Sequence, residues 1–171
     1  MDDCTHLVFM GVSGCGKSTA AALAAGRLGR PLAEADDFHP AANIEKMAAG
    51  RPLDDADRAP WLAALRDRMA EVGAPGAVVT CSALKRAYRD TLREAPGRVF
   101  FVHLAGSREL IGARLAARTG HFMPADLLGS QYADLEPLAA DEDGVTLDVA
   151  AAPGELVDAA LAAAGLAGGG R

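Results

Sequence analysis

The sequence has few cysteines, no long apolar run and no excess of positive charge. Its three cysteines, Cys4, Cys15 and Cys81, form neither a CxxC pair nor a metal-ligand spacing, which argues against structural disulfides and zinc. No apolar run approaches the ~20 residues that span a bilayer. Residues 1–4 are acidic, where a signal peptide would be positively charged. We therefore expect a reduced, cytoplasmic protein that has no membrane partner.

The charge balance and the length narrow the possibilities further. A net charge of −6 argues against a nucleic-acid partner, because contacts to phosphates require a basic face. The 171 residues contain no internal repeat and no linker long enough to divide domains. We expect a single domain over residues 1–171, with a core of about 5–165 and a flexible tail over 166–171.

The most specific motif is a complete G-x-x-x-x-G-K-[ST] phosphate-binding loop (P-loop) at residues 11–18. It lies between an apolar run at 7–10 and an alanine-rich stretch at 19–28, the strand–turn–helix context that the motif requires. Its backbone N–H groups and the start of the helix suit phosphate. Lys17 would reach the terminal phosphates and Ser18 would ligate Mg²⁺. The residues expected to bind the nucleoside triphosphate are Gly11, Val12, Ser13, Gly14, Cys15, Gly16, Lys17, Ser18 and Thr19.

Strand-like and helical patterns alternate along the chain. Apolar runs occur at 7–10, 32–35, 77–81, 99–104 and 145–149, and helical patterns occur at 17–28, 56–72, 86–94, 108–118, 125–135 and 155–164. This alternation predicts an α/β fold of three layers, with a five-stranded parallel sheet flanked by helices on both faces. Ligands of such sheets bind at the carboxyl ends of the strands, so the segments after each strand are the candidates for chemistry.

Acidic residues follow the second predicted strand. Glu34 and Asp36 would project to the same side if the strand continued through both. Carboxylates beside a P-loop either hold Mg²⁺ through water or accept a proton from an attacking hydroxyl. The alternative is an acidic loop that caps the next helix. His39 could bind substrate or simply fix the loop.

Three cations, Lys85, Arg86 and Arg89, open the helix after the third strand, where the helix dipole disfavours positive charge. An anionic substrate would explain them, and the alternative is a solvated basic helix end.

Arg114 and Arg118 precede a loop bounded by Gly and Pro. They predict a lid over about 114–130 that lowers arginines onto the phosphates. The alternative is an ordinary surface helix whose arginines are solvated. The D-x-x-G pattern at 141–144 is interpreted as a chance match, because no guanine-specificity motif follows it.

Several longer blocks resemble one family. They are Ala-Asp-Asp-Phe-His-Pro at 35–40, the acidic stretch with Arg58 at 52–62, Cys-Ser-Ala-Leu-Lys-Arg-Ala-Tyr-Arg-Asp at 81–90 and Gly-His-Phe-Met at 120–123. In this order, over about 5–165, the chain resembles the small thermoresistant gluconokinases of bacteria. The resemblance implies ATP- and Mg²⁺-dependent phosphorylation of D-gluconate. It also implies a fold similar to nucleoside monophosphate kinases and shikimate kinase, with a lid, commonly in a homodimer.

The resemblance also implies roles for individual residues. Asp36 would contact the sugar acid and orient or deprotonate its 6-hydroxyl, while Glu34 would lie near Mg²⁺. Lys17 and the lid arginines would neutralise the transferring phosphoryl group. The residues expected around gluconate are Asp36, His39, Arg58, Lys85, Arg89 and His121. Two rival interpretations stay open on the residues alone: a kinase of the same fold acting on shikimate or a nucleoside monophosphate, and a non-catalytic nucleotide-binding module.

Overall fold

The computed structural model describes residues 4–117 and 125–167. The strands in these ranges are β1 (Thr5–Met10), β2 (Leu32–Glu34), β3 (Val78–Thr80), β4 (Arg98–Ala105) and β5 (Gly144–Asp148). The helices are α1 (Lys17–Leu28), α2 (Ala41–Ala48), α3 (Asp55–Val72), α4 (Arg86–Arg93), α5 (Arg108–Ala117), α6 (Ala125–Asp134) and α7 (Pro153–Ala164). In the part of the chain so described, no helix has the length and apolar character to cross a membrane.

The five strands form one parallel sheet in the order β2-β3-β1-β4-β5, which confirms the predicted α/β architecture. Alternate side chains of β1 enter two separate cores. Leu7 and Phe9 pack with α1 and α7 on one face, whereas Val8 and Met10 pack with α3 and α4 on the other. Because both faces of the sheet are covered, the strand is apolar throughout, as its sequence indicates.

The order of the strands places a crevice at the carboxyl end of β1, because its neighbours β3 and β4 belong to the two opposite halves of the sheet. The P-loop fills this crevice and lies tightly against the fold. Gly11 has φ 144°, and a Cβ atom there would lie 2.8 Å from the Leu104 carbonyl oxygen. Gly14 has φ 83°, and its Cβ atom would lie 2.5 Å from Cγ of Leu115. Both positions therefore require glycine.

The largest departure from the predicted elements follows β2. The strand ends at Glu34, and Ala35–Phe38 forms a 3₁₀ turn that leads into α2. Glu34 and Asp36 therefore do not lie on one side of a strand, and that prediction is wrong. The turn is held by Trp61, whose Nε1 donates a hydrogen bond of 2.7 Å to the Ala35 carbonyl oxygen. That contact comes from a distant helix, so no local sequence pattern indicates it.

Helix α2 has no counterpart among the predicted helices. Its only buried residue is Asn43, while Ile44 and Met47 are exposed, so the segment has no apolar stripe to mark it as a helix. By contrast, the acidic start of α3 follows its sequence pattern. The Asp54 carboxylate accepts the Asp57 N–H, and the Asp57 carboxylate accepts the Asp54 N–H, which together form a capping box.

Candidate active site

Lys17 lies inside the P-loop. Its Nζ atom donates hydrogen bonds of 3.0 Å to the carbonyl oxygens of both Gly11 and Val12. These carbonyl groups hold the ammonium group at the start of the loop, the end that faces the carboxyl edge of the sheet. A phosphate placed in the loop could take over these hydrogen bonds as stronger charge-assisted ones.

Ser18 and Glu34 meet beside the loop. Oγ of Ser18 donates to Oε2 of Glu34 at 3.2 Å, and Oγ1 of Thr80 donates to the same oxygen at 2.9 Å. Hydroxyl and carboxylate oxygens are the ligands that Mg²⁺ prefers, and this ion commonly keeps several waters and binds substrate phosphates. In residues 4–117 and 125–167, no group of three or more His, Cys, Asp or Glu residues could hold a metal. One carboxylate and two hydroxyl groups fit a Mg²⁺ ion whose other ligands are water and phosphate oxygens. Sequence reasoning missed Thr80.

Asp36 and His39 lie on the segment after β2. Asp36 is exposed, and the ring of His39 stacks on Trp61 with 4.3 Å between centroids and 12° between planes. Burial lowers the pKa of His39, and the charge of Arg58 acts in the same direction, while Asp36 opposes them. His39 is therefore neutral at pH 7 and lies within electrostatic range of both Asp36 and Arg58.

Arg58 and Lys85 converge on a tyrosine that sequence reasoning did not identify. Nη1 of Arg58 donates to the Tyr88 hydroxyl at 2.8 Å, and that hydroxyl donates to Oδ1 of Asp55 at 2.5 Å. The Arg58 guanidinium and the Lys85 ammonium lie 5.4 and 5.7 Å from the centre of the Tyr88 ring. Lys85 also lies 3.4 Å from Oδ1 of Asp55. We call Asp55, Arg58, Lys85 and Tyr88 the acceptor cluster. Its two cations outnumber its one carboxylate, so the cluster has a net positive charge that suits an anionic ligand such as a carboxylate.

Arg89 does not join the acceptor cluster. Its side chain is 0 % exposed, and Nε and Nη2 donate to the two carboxylate oxygens of Glu142 at 2.7 and 3.0 Å. Its Nη1 donates to the Ala83 carbonyl oxygen at 2.9 Å. The expectation that Arg89 contacts gluconate does not fit this geometry, because its three nitrogens are all bonded inside the protein. It supports the backbone of Ala83, which has the unusual φ of 44°.

The acidic segment at 141–143 explains the basic start of α4. Arg86 makes a two-pronged ion pair with Asp141 at 2.9 and 2.7 Å, and Arg93 pairs with Glu142 at 2.5 Å. Arg86 and Arg89 thus have protein partners, and only Lys85 of the three predicted cations belongs to the acceptor cluster. The D-x-x-G match, interpreted from sequence as chance, supplies these carboxylates.

Burial raises the pKa of Glu142, but hydrogen bonds from Arg89, the Ala139 N–H and Arg93 outweigh it and lower the pKa to about 2. Glu142 is therefore ionised throughout the physiological range. A carboxylate held in this way, with its arginine partners, is a structural element beneath the site and not a group that exchanges protons during a reaction.

A cavity of about 330 Å³ opens on the other side of the P-loop. Its lining includes Gly14, Gly16, Thr19, Arg114, Val149 and Pro153. Nη2 of Arg114 donates to the Val149 carbonyl oxygen at 2.7 Å, so this arginine is held at the cavity and not above the Lys17 end of the loop. The other predicted lid residues, Arg118 and His121, lie outside the described residues.

The chain is similar to known proteins over most of its length. It is 54% identical over 138 residues to the gluconokinase of Gluconobacter oxydans strain 621H. The matched region covers 80% of this chain and 78% of that protein. The structure of a gluconokinase from Sinorhizobium meliloti 1021 has a TM-score of 0.86 and 47% identity, covering 95% of this chain and 93% of that one.

A more distant structure, shikimate kinase from Aquifex aeolicus vf5, has a TM-score of 0.61 at 17% identity. It covers 94% of this chain and 96% of that one, and it supports the predicted P-loop kinase fold. No model of a known protein family matches the chain. The identity to the Gluconobacter protein, over more than two thirds of both chains, establishes that this chain belongs to the gluconokinase family.

Proposed function

We propose that this protein transfers the γ-phosphoryl group of ATP to the 6-hydroxyl of D-gluconate, giving ADP and 6-phospho-D-gluconate. The observation that carries the proposal is the position of the acceptor cluster. It lies on the helices that follow β2 and β3, whose carboxyl ends share one sheet edge with the P-loop. A donor of phosphate and an acceptor with a carboxylate can therefore meet at that edge.

The donor half of the site is the P-loop with Lys17, Ser18 and Glu34. Lys17 leaves the carbonyl groups of Gly11 and Val12 and binds the terminal phosphates of ATP. Ser18 and, through water, Glu34 would hold Mg²⁺, which would supply positive charge to neutralise the phosphates. The cavity beside the loop takes the nucleoside, and Arg114 lies against this part of ATP. In this proposal Arg114 acts on the donor side from the cavity, and not as a lid residue that is lowered onto the phosphates.

The acceptor half binds gluconate through opposite charge and hydrogen bonds. Arg58 and Lys85 pair with the carboxylate of the sugar acid, and the Tyr88 hydroxyl, whose own proton goes to Asp55, accepts a hydrogen bond from a hydroxyl group of the sugar acid. Neutral His39 forms a hydrogen bond with a hydroxyl group of the sugar acid. Asp36 accepts a hydrogen bond from the 6-hydroxyl and takes its proton as the new ester bond forms.

Transfer occurs in line, directly from ATP to the hydroxyl group, without a phosphoenzyme. Positioning and charge neutralisation are sufficient for such a reaction. Lys17 neutralises the phosphoryl group, and we retain Arg118 and His121 as predicted partners from the segment between α5 and α6. Arg118 serves the phosphates in this proposal, and His121 serves gluconate.

The test is ADP release with ATP, Mg²⁺ and a panel of acceptors: gluconate, other sugar acids, shikimate and nucleoside monophosphates. We expect turnover with gluconate and a product whose ³¹P signal is that of a phosphate ester on a primary carbon. Turnover on another acceptor with none on gluconate would overturn the proposal. A nucleoside monophosphate acceptor would instead require the acceptor cluster to bind a phosphate.

We also propose that the protein is a cytoplasmic homodimer built from one domain per chain, as the resemblance implies. Light scattering measures the assembly directly. We expect a mass of twice the 17.5 kDa of one chain, and a single-chain mass at assay concentrations would contradict the dimer.

A further inference from the structure

Gln131 on α6 contacts the P-loop through both ends of its side-chain amide. The Ser13 backbone N–H donates to Oε1 of Gln131 at 2.7 Å, and Nε2 of Gln131 donates to Oγ of Ser13 at 3.0 Å. A backbone N–H can only donate, so it fixes which end of the amide faces it. Both residues are half-buried. Sequence reasoning gave Gln131 no role.

The contact lies at the end of the loop that faces the terminal phosphates. Ser13 directly follows Gly11 and Val12, the two residues whose carbonyl groups hold the Lys17 ammonium. Because the Ser13 hydroxyl accepts a hydrogen bond from Gln131, its own proton remains available to a phosphate oxygen. The Ser13 N–H is already bonded to Gln131, so phosphate must use the other N–H groups of the loop.

The second residue after helix α6, Glu136, reaches the acceptor side. The Glu136 N–H donates to the Leu84 carbonyl oxygen at 2.7 Å, and the Glu136 carboxylate accepts the Arg86 N–H at 2.9 Å. Leu84 and Arg86 flank Lys85 of the acceptor cluster. One continuous piece of chain therefore touches the P-loop at Gln131 and the acceptor side at Glu136.

We propose that Gln131 is a positioning residue for phosphoryl transfer. Its amide holds Ser13, and through Ser13 the edge of the P-loop, in fixed relation to the acceptor side. The proposal rests on the kinase activity proposed above. It adds that the γ-phosphate and the 6-hydroxyl are aligned through α6, and that Ser13 is oriented by Gln131 to donate to the phosphate.

The first test compares Gln131→Ala with a matched variant on the same helix. Tyr132→Phe removes a hydrogen bond of 2.9 Å from Tyr132 to the Gly106 carbonyl oxygen and leaves both hydrogen bonds between Gln131 and Ser13 in place. We expect Gln131→Ala to lower kcat about ten- to a hundredfold, because misalignment of reacting groups is costly. KM for gluconate and the Kd of a non-hydrolysable ATP analogue stay within about threefold, and Tyr132→Phe keeps a nearly normal kcat. A normal kcat in Gln131→Ala would overturn the proposal.

The second test asks whether Gln131 acts through Ser13. If it does, adding Gln131→Ala to Ser13→Ala lowers kcat by a smaller factor than Gln131→Ala lowers it in the wild type, because Ser13→Ala has already removed the hydroxyl contact and leaves only the bond from the Ser13 N–H. Effects that multiply in full would overturn the proposal. Gln131→Glu keeps an acceptor for the Ser13 N–H but adds negative charge, so we expect it to raise the Kd of the ATP analogue, and an unchanged Kd would contradict this placement.

The role of Gln131 and the proposed kinase function are tested by different measurements. The wild-type acceptor panel tests the function, whereas the ratio of variant to wild-type kcat tests Gln131 on whichever acceptor is phosphorylated. Thermal unfolding of each variant excludes a loss of folded protein. If kcat falls only in proportion to the folded fraction, Gln131 has a merely structural role and the proposal fails.

Discussion

The donor and acceptor halves of the site are built in different ways. In the donor half, Lys17 contacts Gly11 at a separation of six residues, inside one continuous motif. In the acceptor half, Arg58 contacts Tyr88 at a separation of 30 residues, and Asp55 contacts Tyr88 at 33. A contiguous motif carries its own geometry, whereas the acceptor cluster exists only because the fold brings α3 and α4 together.

The same difference separates two cations of the 85–89 block. Lys85 and Arg89 are spaced as neighbours on one helix face, yet Lys85 lies in the acceptor cluster and Arg89 is fully buried with Glu142. Lys85 precedes the first residue of α4 and has extended backbone, so the helical spacing rule does not apply to it. Spacing alone therefore does not distinguish a substrate-binding cation from a structural one.

The variant Asp36→Asn is expected to give the largest difference between the effects on the acceptor half and on the donor half. This change removes the proton acceptor of the acceptor half, so we expect kcat to fall about 10²- to 10⁴-fold. The donor half does not include Asp36, and the Kd of an ATP analogue should stay within about twofold. Single-turnover assays and analogue titration give the two values. Near-normal turnover would remove Asp36 from the chemistry.

Glu142→Gln tests whether Arg89 stabilises the fold through its ion pair with Glu142 and does not bind the acceptor. It leaves the buried guanidinium of Arg89 without a charged partner, so we expect a loss of about 3–5 kcal/mol of unfolding free energy in a urea titration. The matched control is Asp143→Asn, which breaks the half-exposed pair with Arg98 and should cost less than about 1 kcal/mol. Equal losses in the two variants would contradict the structural role.

The lowered pKa of Glu142 also predicts that the free energy of unfolding depends on pH in the acid range. The pKa of Glu142 falls from its ordinary 4.5 to about 2 in the folded protein, so folding favours its ionised form. Its contribution, roughly 3 kcal/mol, is present above pH 4.5 and is lost as the pH falls toward 2. Urea titrations of the wild type and of Glu142→Gln across this range should converge as the pH falls. Parallel curves would contradict the prediction.

A smaller effect is expected from Tyr88→Phe, which keeps the ring under both cations and removes only the hydroxyl group. We expect KM for gluconate to rise about three- to tenfold, the size of one hydrogen bond between neutral groups. KM for ATP should not change, because Tyr88 makes no contact with the P-loop among its described interactions. A rise in KM for ATP alone would mean that Tyr88 belongs to the donor side.

The sequence was sufficient for the parallel sheet and for the strand, loop and helix over 5–28, but it did not indicate α2 or the 3₁₀ turn at Ala35–Phe38. Strong apolar runs and glycine positions define β1, the P-loop and α1, and the bounds of α1 agree with the predicted ones. The acceptor half depended on the resemblance, because no local pattern marks Arg58, and the basic helix start that marks Lys85 does not distinguish it from Arg86 and Arg89. Tyr88, Thr80 and Gln131 were missed for a related reason: each acquires its role from a contact at a distance of 30 residues or more.

Lys85→Met tests the central claim, that donor and acceptor recognition occupy separate halves, most directly. Methionine keeps much of the length and removes the charge. Steady-state kinetics should show KM for gluconate raised at least about tenfold, with KM for ATP within about twofold of the wild type. Arg66→Met, which removes a cation paired with Glu94 outside the acceptor cluster, is the control and should change neither value. An unchanged KM for gluconate, or an equal rise in both values, would contradict the account.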